Sequence, residues 1–328
     1  MSTPSLPKQL LPLISDKPLL VDTLDRVSTI APAERTLILT NASLADTVRD
    51  ACPAVPRGNV IAEPKPAGTA AALTWAAAEI ERRDGSEAVM ISVHADWAIG
   101  DVGAFRKALA TAAEVAETNH ALVTVGVVPV RPDPGLGYIE RGDSVSNGVN
   151  RVGRFVEKPD ESAAVTMIEK GALWNSGIFA WRVGDFLDEV RARTPEVAPA
   201  LEGIKFGEAG LEKFFGKVKS IAVDVGVLER SDNVQVVAGD FGWDDIGTWG
   251  ALQRIQKADD LGNVIHGDAF ALEATDNVVH AKDQTVVLYG VSDLVVIAKD
   301  GLTVVTTVEK SAHLKELLGA LPKRVAEQ

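Results

Sequence analysis

The stretch 155–179 constrains the fold of this chain more than any other. It reads Phe155-Val156-Glu157-Lys158-Pro159, then a short helical run, then Trp174-Asn175-Ser176-Gly177-Ile178-Phe179. Two strand-like segments bracket one helix. Asp160 is its N-cap, Val165 and Ile168 form an i,i+3 apolar pair, and Gly171 is its stop. A strand–helix–strand unit brings polar groups to one end of a sheet, where open α/β sheets bind small molecules. Glu157 can accept hydrogen bonds from hydroxyls, Lys158 can pair with a phosphate, and Asn175 can both donate and accept. Those are the contacts a small sugar phosphate needs. A solvated strand end and a turn residue would account for either segment taken alone.

A chain of 328 residues can bury a large core, and its length suggests two domains or one with an appendage. No apolar run approaches the ~20 residues that span a bilayer, and no signal peptide is recognised at Met1, so no membrane partner is expected. Cys52 is the sole cysteine, which excludes an internal disulfide and a cysteine metal cluster and points to a cytoplasmic setting. A net charge of −13 argues against binding a nucleic-acid backbone. It does not argue against handling a single nucleotide with a few placed lysines and a divalent cation.

The rest of the chain reads in order. Residues 19–27 carry a helical apolar face and 36–40 a buried strand. Next, Ile61-Ala62-Glu63-Pro64-Lys65-Pro66-Ala67-Gly68-Thr69-Ala70 leads into an alanine-rich helix. Thr69 is a natural N-cap there and would leave free N–H groups at the positive end of the helix dipole. Residues 88–95 read as the best buried strand of this half, followed by Asp96, a carboxylate at a strand end suited to a hard metal ion. Asp101 suits the cap of the helix after it. Another buried strand, 121–130, precedes a Pro/Gly loop in which Gly137 would let backbone approach a ligand closely. Helices covering the sheet are expected over 183–228. The run Phe241-Gly242-Trp243-Asp244-Asp245-Ile246-Gly247-Thr248-Trp249 then places two adjacent carboxylates among glycines and tryptophans. From about residue 258 short β-rich runs alternate with turns, the rhythm of a small solenoid or roll, and a helix over 311–321 closes the chain.

Glu157-Lys158-Pro159 followed by Trp174 to Phe179 resembles the sugar-1-phosphate nucleotidyltransferases, and most closely the mannose-1-phosphate guanylyltransferases. The resemblance extends from Pro7 to the last helix. It implies a Rossmann-like mixed α/β sheet flanked by helices over 1–257, with a small β-helix-like domain over 258–328 that often forms a homodimer contact. It also implies GTP and mannose 1-phosphate as substrates, Mg²⁺ as cofactor, and GDP-mannose and pyrophosphate as products. Asp96 matches the aspartate of the family's Ala-Asp-His step and Asp245 that of its Trp-x-Asp-x-Gly-x-Trp pattern, so these two would hold the metal. Lys158 would bind the sugar phosphate, Glu157 and Asn175 the sugar hydroxyls, and Lys8 the triphosphate. Gly137 falls on the family's Gly-Tyr-Gly-Tyr-Ile step. Glu63, Gly68 and Thr69 fall where base and ribose are recognised, but Ala67-Gly68-Thr69-Ala70 replaces the usual Gly-Arg-Asn-Thr, which leaves the base preference open. Asp244 stands where relatives often have Ser.

One departure concerns residues 1–13, where three prolines exclude a regular strand or helix. Relatives open with a strand and a Gly-Gly-x-Gly-Thr-Arg-Leu-Trp-Pro loop, an apolar residue and Ser, and then Pro-Lys-Gln. Met1-Ser2 and Pro7-Lys8-Gln9 match the end of that series, so a start upstream of Met1 by one strand and the loop is expected. A sugar-nucleotide sensor that turns nothing over is the alternative from another class. A different sugar 1-phosphate or base is the alternative within the enzyme class.

Overall fold

Alanine-rich and β-branched runs alternate along most of the chain, and the computed structural model, describing residues 7–299, 301–314, 317 and 320–322, turns them into helices and strands. Met1 and Ser2, matched above to the family's opening, lie outside the described residues. Lys8–Leu10 is a single 3-10 turn after Pro7. There follow α1 (Leu19–Val27), β1 (Ile38–Asn41), α2 (Ala45–Ala51), β2 (Val60–Glu63), α3 (Gly68–Asp84), β3 (Val89–Ser92), β4 (Ala98–Ile99) and α4 (Val102–Asn119). The middle holds β5 (Leu122–Val127), β6 (Tyr138–Ser146), β7 (Val149–Val156), α5 (Glu161–Glu169) and β8 (Leu173–Arg182). Then come α6 (Val183–Arg193), α7 (Ala198–Leu201), α8 (Glu208–Lys217), α9 (Val223–Gly226), β9 (Val234–Gly239), β10 (Trp243–Asp244) and α10 (Trp249–Ile255). The last strands are β11 (Val264–Leu272), β12 (Val278–Tyr289), β13 (Leu294–Lys299) and β14 (Leu302–Thr307) among the described residues.

Two compact units result. The first takes in Leu20–Ala95 and Asp101–Phe241 with the segment up to Leu11, the second Pro12–Leu19, Asp96–Gly100 and the chain from Gly242 on. The division therefore falls ahead of the expected 257/258 boundary. α10 explains why: its first four residues, Trp249 to Leu252, are buried, and Trp249 packs on His280 of β12 with ring centroids 5.6 Å apart.

In the first unit a six-stranded mixed sheet runs β3-β8-β5-β9-β7-β6, and β6 pairs with β8 as well as with β7. β5 and β9 are parallel and the other pairs antiparallel. β1 and β2 form a separate parallel pair. Helices α3, α6 and α8 cover the sheet through an aromatic core in which Trp181 stacks on Phe186 at 4.2 Å and on Phe179 at 5.6 Å. Truncating any of these rings costs about 3–5 kcal/mol. Asp101 and Asp160 cap α4 and α5 as expected, accepting the N–H groups of Ala104 and Ala163.

Two expectations about this unit need correction. Residues 88–95 do not make the best buried strand: β3 has four residues, only Met90 of them buried, and stands at the end of the strand order. The fully buried strand is β5, central between β8 and β9. On α5, Val165 is exposed and burial falls on Ala164 and Met167, because the helix rests one position round from the 165/168 pair.

In the second unit β4 and β10 form a two-residue antiparallel ladder. β11, β12 and β13 are mutually parallel, and β14 returns antiparallel to β13. Buried Asn263 and Asn277 stitch successive turns of this roll: Asn277 Nδ2 donates to Asn263 Oδ1 at 2.9 Å, and Leu294 N–H to Asn277 Oδ1 at 3.0 Å. Gly267-Asp268 interrupts the apolar run of β11 at a shift in its register with β12. The closing helix begins as a 3-10 turn, Lys310–His313, and the rest of 311–321 lies in part outside the described residues. Among the described residues no helix is long and apolar enough to cross a membrane.

Candidate active site

The sheet register assembles the sugar-side residues. Tyr138, first residue of β6, pairs with Val156 of β7 on one side and Trp174 of β8 on the other. The neighbouring residues Glu157, Gly137 and Asn175 therefore lie side by side. Asn175 N–H donates to the Gly137 carbonyl at 2.8 Å. A Cβ built on Gly137 would come 2.9 Å from Glu157 Oε2 and 3.5 Å from Asn175 Cβ, so the hydrogen of glycine leaves the place that the Glu157 carboxylate fills. Trp174, wholly buried, backs this point and carries Arg131 over its ring at 5.1 Å.

Asn175 owes its setting to an irregularity in β8. Val125 pairs with Ile178 and Gly126 with Asn175, leaving Ser176 and Gly177 as a bulge, with Gly177 at φ +69°. Bulges re-aim side chains beside functional sites. Here buried Ser176 pins the bulge, donating its hydroxyl to Val125 O at 2.5 Å and accepting Ile178 N–H at 3.1 Å. Lys158 is exposed, 3.1 Å from Glu157 Oε1, and its backbone adopts φ +46° directly before Pro159. That left-handed conformation costs a non-glycine residue on the order of 1–2 kcal/mol, and strain of this kind gathers at ligand sites.

Two carboxylates not singled out from the sequence complete this group. Asp224, on the single-turn α9, accepts Asn175 Nδ2–H at 2.8 Å. The Glu229 carboxyl is pushed up, first by burial and then by the charges of Asp224 and Glu157, with Arg230 opposing. At the end of the stretch 183–228, where helices covering the sheet are expected, α9 is one turn long and is followed by a 3-10 turn, Leu228–Arg230, and Val225 is exposed.

The 63–70 loop differs from its expected role in two respects. Glu63 ends β2, and burial pushes its carboxyl up. Thr69 is not the N-cap of α3. The cap is Ala67, and the Thr69 hydroxyl accepts Val223 N–H at 2.9 Å. Nor are all the first N–H groups free: Ala70 N–H donates to Ile221 O at 3.2 Å. Gly68, at φ +77°, has no room for a Cβ against the Ile221 backbone. The loop is thus stapled to 221–223, which a proline-flanked turn with a small-residue helix start can approach closely.

In the second unit the β4–β10 ladder, Ala98 opposite Asp244, draws the segments bearing Asp96 and Asp245 together. Trp97 meets Trp243 edge-on at 6.0 Å. Asp244 is buried; its Oδ2 accepts from Arg254 Nε at 2.8 Å, with Nη2 2.7 Å away in the same ion pair, and its Oδ1 accepts Ile246 N–H at 2.9 Å. Ile246, β-branched, is held at φ +48°. This turn fixes the backbone on both sides of Asp245, whose Oδ1 accepts Gly247 N–H at 3.3 Å. Two hard-oxygen donors fit magnesium, which takes one or two protein carboxylates and fills its shell with water and phosphate oxygens. Among the described residues no set of three or more His, Cys, Asp or Glu side chains gathers as a metal cage.

Comparison with known proteins gives concordant results. The sequence profile of the nucleotidyl transferase family matches residues 3–260. The mannose-1-phosphate guanylyltransferase RfbM of Salmonella typhimurium is 30% identical over 97% of this chain and 68% of its own length. A mannose-1-phosphate guanylyltransferase of Sinorhizobium fredii is 31% identical over 97% of this chain and 63% of its own. The chain thus spans about two thirds of the length of these relatives. A crystal structure described as mannose-1-phosphate geranyltransferase from Thermus thermophilus superposes with a TM-score of 0.89 at 33% identity, covering 97% of this chain and 93% of that one.

Proposed function

The chain belongs to the nucleotidyl transferase family, and on that footing we propose that it transfers GMP from GTP to mannose 1-phosphate, releasing pyrophosphate. The observation that carries the sugar side is the row Glu157–Gly137–Asn175 with Lys158 beside it. An acceptor, a close-approach glycine and an amide meet ring hydroxyls, and the ammonium of Lys158 meets the phosphate. The guanine base and the mannose configuration rest on the relatives' activity.

The sugar phosphate oxygen attacks the α-phosphorus of GTP; the new P–O bond forms as the bond to the β-phosphate bridging oxygen breaks, and pyrophosphate leaves with that electron pair. The nucleophile is already ionised at neutral pH, so no general base is needed. The protein's task is positioning and charge neutralisation. Lys158 holds the nucleophilic phosphate, Glu157 and Asn175 orient the sugar, Lys8 attends the triphosphate, and Glu63, with the 68–69 turn, borders the base and ribose. Asp96 and Asp245 would hold Mg²⁺, which when bound offsets charge on the phosphates. The same reading includes a cytoplasmic homodimer supplying GDP-mannose.

A panel of nucleoside triphosphates against sugar 1-phosphates, read by pyrophosphate release and phosphorus NMR of the product, tests this. GTP with mannose 1-phosphate is expected to lead. Dominance of another pair reassigns the substrates, and binding of GDP-mannose with no turnover of any pair favours a sensor.

A further inference from the structure

We propose that Asp224 is a sugar-reading residue: its carboxylate locks the Asn175 amide and accepts a ring hydroxyl of the substrate. The inference rests on the sugar-phosphate reading of this site and extends it to a residue outside the recognised motifs.

Three observations carry it. First, the amide of Asn175 has one orientation. Its Nδ2 donates to Asp224 Oδ1 at 2.8 Å while its Oδ1 accepts Gly177 N–H at 3.3 Å, and a flip would oppose like groups at both ends. Second, Asp224 is itself held. Ile221 N–H donates to Ala67 O at 3.4 Å, Ala70 N–H to Ile221 O at 3.2 Å, and Val223 N–H to Thr69 Oγ1 at 2.9 Å, so the segment entering α9 is tied to the start of α3. Third, Asp224 keeps one oxygen available. Among the described residues Oδ2 has no hydrogen bond, and the side chain is half-buried.

The chemistry that suits this corner follows. Asp224 accepts from the Asn175 amide, Glu157 lies beside Asn175 in the row, and the charges of both carboxylates act on Glu229. Such a group has surplus lone pairs and wants donors. Ring hydroxyls supply them, whereas a phosphate or a carboxylate would be repelled. The row of Glu157, Gly137 and Asn175 is therefore extended by a fourth contact, and the 67–70 turn serves the sugar by anchoring Asp224.

The test uses the full chain, with Asp224→Asn and Asp224→Ala beside wild type. Mannose 1-phosphate and its 2-, 3-, 4- and 6-deoxy analogues are compared at saturating GTP, with circular dichroism to establish folding. Asp224→Asn is expected to raise KM for mannose 1-phosphate by roughly 10–100-fold, the worth of a charge-assisted hydrogen bond, with KM for GTP unchanged. Against one deoxy analogue that penalty should vanish, because the hydroxyl Asp224 would accept from is gone. A penalty equal across all analogues, or none, overturns the hydroxyl contact. Wild type that turns over no sugar 1-phosphate instead removes the proposed function itself, a result seen without any variant. If Asp224→Ala does not fold, the isosteric Asn variant alone decides.

Discussion

The carbonyl of Gly137 accepts the N–H of Asn175 at 2.8 Å, on the side of the chain away from the strand that leads to Glu157. Glycine at 137 is thus the spacer of a three-residue row, and its missing Cβ decides where Glu157 sits. Gly137→Ala should leave the fold intact, because the clashing atom is the end of a flexible side chain. It should raise KM for the sugar phosphate by about 10-fold or more, since displacements near 1 Å at a positioning group cost up to 10². Steady-state kinetics with a thermal melt would check this; unchanged KM would separate Glu157 from the sugar.

The pair Asp244–Arg254 underlies the second prediction. Removing the guanidinium in Arg254→Met leaves a carboxylate of 6% side-chain exposure without its cation. The expected loss is about 2–3 kcal/mol by urea unfolding, less than for a wholly buried pair because Arg254 is 39% exposed. Asp245→Asn should behave differently: stability nearly unchanged, turnover lower by about 10²–10³, and Mn²⁺ affinity weakened in a paramagnetic titration. Near-normal turnover would take Asp245 out of the metal site.

Much of this arrangement was legible in the chain. Helix 19–27, the caps Asp101 and Asp160, and the strands around Glu157 and Asn175 follow from local chemistry, which acts over a few residues. What was missed depends on distant partners. Thr69 had every local mark of an N-cap, yet Val223, 154 residues on, takes its hydroxyl. Asp224 and Glu229 lie in a run with no polar motif of its own, and their roles depend on Asn175 and Glu157, 49 or more residues away in the chain. The run 88–95 was apolar enough for a central strand, but centrality belongs to strand order, which a single run does not encode.

Acid sensitivity provides a third prediction. Two hydrogen bonds from Arg230, at 2.8 and 3.0 Å, lower the Glu196 carboxyl from 4.5 to about 2. A folded-state value below the unfolded one means that the pair's contribution is fully present above the unfolded value and is lost as pH falls towards 2. The stability gap between wild type and Glu196→Gln should therefore be constant near neutrality and close between pH 4.5 and about 2. Glu63, pushed up by burial, works in the opposite sense: it favours the folded state at low pH and loses that advantage as pH rises through its folded value. Glu63→Gln should accordingly gain relative stability on the alkaline side. Urea midpoints across the pH range would reveal both slopes, and a pH-independent Glu196→Gln difference would refute the first.

The last prediction concerns assembly. In the roll, Phe270 stands opposite Val287 and Leu272 opposite Tyr289, so the four share one face, and all are more than 60% exposed. Beside them a groove of about 510 Å³ is lined by residues including Leu288, Val291 and Val305. Neighbouring exposed apolar side chains of this kind, rimmed by polar residues, mark an interaction surface. Two copies related by a twofold axis could set this face against itself, and a specific interface needs about 1,000 Å² in all. A homodimer through this face should thus be of moderate affinity, and Val287→Glu with Tyr289→Lys should convert it to monomer in sedimentation velocity without altering the melt. A wild-type monomer at micromolar concentration, or a dimer indifferent to both substitutions, would place any partner elsewhere.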